Sequence, residues 1–192
     1  MAKFETQPLV SSAFDRTQLP NGLRILTSTF RHTNAVSIIF LFGAGSRYET
    51  PELAGASHLF EHMLFKGTPT RPTPKEISEV VEGVGGTLNA FTDREVTGYW
   101  CRVAQPNYRD SIDLLADMTL NSFFKDEDIA KEKQVVYEEI RASNDSPGAR
   151  VSMLLDELMW PNQPLGRDIA GSVESVGAIS REQMLEYLKT QY

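Results

Sequence analysis

The chain has 192 residues, 41% of them hydrophobic and 9% aromatic, which suits one globular domain with a sizeable core. Acidic residues outnumber basic ones 26 to 19, a formal net charge of −7; with no basic run to offset that charge, neither nucleic acid nor an anionic membrane surface is an expected partner. The single cysteine, Cys101, rules out an intrachain disulfide. The stretch "MAKFETQPLV" has no apolar secretory core, so a cytoplasmic location is expected.

In chain order, "NGLRILTS" (21–28) opens on a turn and continues as an apolar alternation, which predicts a strand. "AVSIIFLFGAGS" (35–46) is β-branched and aromatic and reads as a buried central strand ended by Gly43 and Gly45. It is too short to span a bilayer. A helix is expected from near Pro51 to Phe65, and a second over residues 75–84 after the break "GTPTRPTP". Two strands follow, 87–92 and 95–103, joined by a tight turn at Asp93 and Arg94. Beyond Pro106 the period becomes helical, with helices predicted at 107–121, 126–144 and 148–159, then a Pro/Gly-rich loop and a last helix at 180–189. Strands followed by helices indicate an α+β fold, a sheet backed by helices, in a single domain over 1–192.

The chemistry is concentrated in "GASHLFEHMLFKGT" (55–68). His58 and His62 stand four apart, so on a helix both imidazoles face one side and can share one ion. Glu61 is turned by about 100° from His62, close enough to act on a water beside that ion without ligating it. His-x-x-Glu-His is the inverted zincin order, and two histidines supply two of the three protein ligands a catalytic zinc takes. The competing reading is an amphipathic helix that carries two histidines. His32, in "FRHTN", is assigned no role.

A third ligand is sought in "DEDIAKEKQVVYEEIRASN", whose apolar stripe is Ile129, Val135, Val136 and Ile140. Glu132 and Glu139 differ by only about 20° on the helical wheel and fall within that stripe, whereas Glu138 points away to solvent. A carboxylate on a core-facing stripe must be neutralised. Glu139 is assigned to the metal. Glu132 is left between that and pairing with Lys131, Lys133 or Arg141.

These features together resemble the N-terminal catalytic domain of the pitrilysin/insulinase family, on its mitochondrial-processing-peptidase-like branch. Beyond His58-x-x-Glu61-His62, the family has a glutamate ligand about 76 residues past the second histidine, where Glu139 falls. It also has a second glutamate seven residues earlier, matched by Glu132 as a catalytic helper. "GGTLNAFTDREVTGY" (85–99) is similar to the family's Gly-rich hairpin, an edge strand that holds the substrate peptide; Asn89, Ala90 and Phe91 are the substrate-binding residues it implies. "LPNGLRI" and "PLGRDIAGSVESVGAIS" match as well. The resemblance implies a mostly antiparallel sheet backed by helices and one Zn2+ per chain held by His58, His62 and Glu139. It further implies a metalloendopeptidase acting on an extended peptide or small protein, with Glu61 as general base.

Family members have two similar halves that close like a clamshell, and this sequence covers one, ending at "EYLKTQY". A sheet cut short at its C-terminal side is expected to favour a homodimer or pairing with a second half. The rival from another class is a non-catalytic partner or assembly subunit of the family, inert without its second half. A third reading, an S-ribosylhomocysteine lyase with Cys101 in its active site, is disfavoured by Glu139 and the "NAFT" hairpin.

Overall fold

The structure is a computed structural model and describes residues 14–192; the stretch "MAKFETQPLV" lies outside them. The chain divides into two compact units, 1–34 and 35–192. The described part of the first is a hairpin of β1 (Asp15–Gln18) and β2 (Arg24–Thr27), paired antiparallel with Asp15 opposite Thr27. Its second strand was expected. β1 was not, because four residues without apolar alternation carry no strand signal.

The second unit opens with β3 (Ala35–Phe42) and a 3-10 turn at Pro51–Leu53, followed by α1 (Ala56–Met63) and α2 (Pro74–Glu82). The hairpin β4 (Thr87–Thr92) and β5 (Thr97–Ala104) follows. Then come α3 (Tyr108–Asn121), α4 (Asp126–Asp145), α5 (Pro147–Met159), α6 (Val173–Ala178) and α7 (Arg181–Gln191). The sheet is wholly antiparallel in the order β3-β5-β4, with Ile38 and Leu88 both opposite Cys101. An α+β layer of antiparallel sheet and helices is the observed fold class.

Four expectations are corrected. β3 is an outer strand of the described sheet, not a buried central one. Its even-numbered residues from Val36 to Phe42 are half-buried and its odd-numbered ones exposed, Ile39 and Leu41 included. An apolar run on both faces mimics central burial, but β5, with Tyr99, Cys101 and Val103 buried, is the centre. The helix expected from Pro51 is interrupted at Gly55, which adopts φ 91°. A side chain there would be strained, and its Cβ would lie 2.5 Å from the Ala170 carbonyl oxygen. The β4–β5 connection spans Asp93–Val96, and its tight turn falls at Arg94 and Glu95, one residue later than expected, because the Asp93 N–H donates to the Val96 carbonyl across them at 2.8 Å. Finally, α6 forms inside the expected loop, nucleated by reciprocal capping between Ser172 and Ser175.

The core explains how α1 is held. Leu59, Phe60 and Met63 are fully buried, and Phe60 stacks against Phe124 and Tyr192 at ring separations of 4.8 and 4.4 Å. Burial of side chains of this size contributes about 1.5–3 kcal/mol each. The same eight-residue helix thus presents one face to the core and leaves His58, Glu61 and His62 half-buried on the other.

Candidate metal centre

The N-terminus of α1 is secured from outside the helix. Gly55 has no side chain to cap it, and the Glu49 carboxylate substitutes, accepting from Gly55 N at 2.9 Å and Ser57 N at 2.6 Å. The Ser57 hydroxyl is hydrogen-bonded in turn to the Tyr187 hydroxyl at 2.7 Å. One turn on, His58 and His62 lie with ring centroids 4.8 Å apart. α4 packs against α1 and delivers two carboxylates to them.

The Glu139 oxygen Oε2 lies 3.6 Å from His58 Nε2 and 3.5 Å from His62 Nε2. One ligand atom from each of His58, His62 and Glu139 falls within 4.8 Å of the others. A tetrahedral zinc with bonds of about 2.0–2.1 Å needs donor atoms about 3.3 Å apart; the two carboxylate–imidazole separations stand within a few tenths of an ångström of that spacing, and the chemistry of the three donors suits such an ion. Burial, reinforced by the neighbouring His62, pushes His58 below its ordinary pKa and toward the neutral form that ligates metals.

Glu132 occupies a different position. It is 8% exposed, and its two oxygens are both engaged, Oε2 with His62 Nδ1 at 3.0 Å and Oε1 with Lys66 Nζ at 2.6 Å. The local partners weighed from sequence are absent: Lys133 donates to the Gly177 and Ile179 carbonyls, Lys131 approaches Asp128, and Arg141 pairs with Glu138. Glu138 is exposed, as expected. The buried stripe of α4 is Ile129, Glu132, Val136 and Ile140, with Val135 43% exposed. The stripe is therefore centred further from Glu139 than the sequence reading placed it, and Glu139, its side chain 46% exposed, sits on the rim.

Glu61 faces β4. The Thr92 hydroxyl donates to its Oε2 at 2.6 Å. Burial pushes the Glu61 carboxyl up, against the downward pull of that hydrogen bond. β4 is an edge strand of the described sheet, with Asn89 and Phe91 exposed and Ala90 half-buried between them. The Phe91 ring lies over Gly98 of β5, where a Cβ would meet it at 2.5 Å. Cys101 is buried in the core and is not one of the clustered ligands. Thr92, Lys66 and Glu49 were not singled out from sequence. Lys66, four residues past His62, had a helical-spacing signal, whereas Glu49 had none.

A cavity of about 930 Å³ is lined by Arg94, Asp156, Trp160, Arg167 and Asp168 among others, but by none of the three clustered ligands.

The profile of the Insulinase (Peptidase family M16) family matches residues 24–173, well over half of the chain. The chain belongs to the insulinase family of peptidases. A protein of Rickettsia felis described as an uncharacterized zinc protease is 38% identical over 179 residues, covering 93% of this chain and 43% of the relative. The zinc protease YmxG of Bacillus subtilis is 39% identical over 172 residues, covering 90% and 42%. A probable mitochondrial-processing peptidase subunit beta of Arabidopsis thaliana is 38% identical over 92% of this chain and 33% of its own length. Among solved structures, a Helicobacter pylori protease superposes with a TM-score of 0.88 at 24% identity, over 93% of this chain and 43% of that one, a likeness of fold. The chain thus spans less than half the length of these M16 relatives, and within that span it is a zinc-protease-like domain of the family.

Proposed function

We propose that this chain is the metal-bearing part of a zinc endopeptidase, in which His58, His62 and Glu139 hold the ion and Glu61 is the general base. The observation that carries the reading is the convergence of the two imidazoles and the Glu139 carboxylate at 3.5–3.6 Å, with Glu61 on the same helix beside them. A zinc ion there would supply Lewis acidity, polarising the scissile carbonyl and acidifying water. Glu61, aimed by Thr92, accepts the proton of the attacking water and returns it to the leaving amine. Glu132 orients His62 rather than moving a proton, because both its oxygens are committed. The open edge of β4 receives the peptide as an added strand through Asn89 to Phe91 and sets the scissile bond beside Glu61. A second similar half, in the same protein or as a separate subunit, completes the cleft; one relative is itself named as a subunit.

Metal content by mass spectrometry, on chain purified without added metal, tests this. About one zinc per chain is expected, lost in Glu139→Gln and retained in Glu138→Gln. No zinc in any form, even after it is supplied, would overturn the reading in favour of a non-catalytic partner subunit.

A further inference from the structure

The two candidate histidines are held differently. His62 Nδ1 meets the Glu132 carboxylate, whereas His58 Nδ1 is buried with no hydrogen-bond partner among the described residues. On the Nδ1 side only packing restrains the His58 ring, whereas a polar contact restrains that of His62. That contact is only as fixed as Glu132, a carboxylate on the buried stripe of α4 that needs neutralisation. Its cation comes from α1's own end. Lys66 lies just past the helix, its backbone N–H donating to the Met63 carbonyl at 3.1 Å, and its ammonium reaches Glu132 at 2.6 Å with the side chain three-quarters covered.

The charges agree with this division. Glu61, Glu132 and Glu139 bring three carboxyl groups to one small region, and among the described residues Lys66 is the one lysine or arginine that ion-pairs with any of them.

We propose that Lys66 is a positioning residue for the metal centre: it anchors Glu132 so that the carboxylate accepts the Nδ1 proton of His62, which leaves His62 Nε2 bare and turned toward His58 and Glu139. The inference rests on the zinc reading of that site. Lys66 touches neither the ion nor substrate; it acts through Glu132.

The test uses the purified chain as wild type, Lys66→Met and Lys66→Arg, with folding of each checked by circular dichroism. Zinc affinity is measured by competition with a chelator, and the tautomer of the His62 ring in the metal-free chain by 15N–1H correlation NMR. Removing an outer-shell partner typically weakens metal binding by about 10- to 100-fold. Acting one contact further out, Lys66→Met is expected at the low end, about tenfold, with His62 divided between tautomers. Lys66→Arg should restore the Nδ1–H tautomer and bring affinity to within about threefold of wild type. Wild-type zinc binding with an unchanged affinity and tautomer in Lys66→Met would overturn the proposal. Absence of zinc binding in the wild type would instead overturn the metal reading, and the tautomer comparison would still decide whether Lys66 orients His62.

Discussion

Glu49 offers the sharpest test of how α1 is held. It is 4% exposed, and it alone caps the two backbone N–H groups at Gly55 and Ser57 where α1 begins. Glu49→Ala leaves both N–H groups buried without this acceptor, at about 1–3 kcal/mol each, or roughly 2–6 kcal/mol together. Part of that is offset, because the substitution also removes a carboxylate whose burial opposes its ionisation and pushes its pKa up. A net loss of about 2–3 kcal/mol at neutral pH is expected. Glu49→Gln keeps one carbonyl acceptor and turns an amide N–H₂ toward the second donor, so about half that loss is expected. The assay is urea unfolding of the metal-free chain at fixed pH, followed by circular dichroism, with the slope compared so that a changed denatured state is recognised. An alanine variant within about 0.5 kcal/mol of wild type would refute the reasoning, since it would mean the two N–H groups find partners without Glu49.

The remaining predictions concern chemistry and acid stability. Glu61→Gln should retain zinc and lose at least about 100-fold in turnover, measured as cleavage of a fluorogenic peptide by the assembled enzyme; loss of zinc in this variant would make Glu61 structural. Asp117 ties Thr68, Arg71 and Asn121 together. Burial alone would raise its carboxyl, but those hydrogen bonds outweigh burial and hold it below its ordinary value. Because the folded value is the lower one, the stability from ionised Asp117 is present above about pH 4 and is lost as the pH falls through the folded value. The advantage of wild type over Asp117→Asn, about 1–3 kcal/mol at neutral pH, should therefore shrink on acidification, and an undiminished advantage near pH 2 would count against the assignment.

What the sequence made legible follows from the range of each interaction. His58, Glu61 and His62 were readable because one helix sets their mutual angles, and Glu139 could be separated from Glu138 because the same periodicity turns one toward α1 and the other to solvent. Glu132 could not be placed by that rule. Its cation, Lys66, lies just past α1, 66 residues away in the chain, while a search along α4 finds only Lys131, Lys133 and Arg141. Thr92 was inside a recognised motif, yet its hydrogen bond to Glu61 exists only because α1 packs beside β4. β3 was misplaced in the sheet for a related reason: Ile39 and Leu41 are apolar but exposed, and composition cannot distinguish an apolar face that is covered from one that is open.

The site is also unevenly built, and that bears on what binding of the proposed ion would order. The α1 side is fixed at both ends, by Glu49 at its N-terminus and by the Lys66–Glu132–His62 chain past its C-terminus, with Phe60 and Met63 locked in the core between them. Glu61 is fixed in turn by Thr92. Glu139 is not: nearly half its side chain is exposed, and the ion pairs it makes are the longer approaches to the two imidazoles. The cation would therefore complete a site that is already formed on α1, drawing in one side chain of α4 and not folding a helix. Most of the binding energy would then be retained as affinity instead of being consumed in ordering backbone.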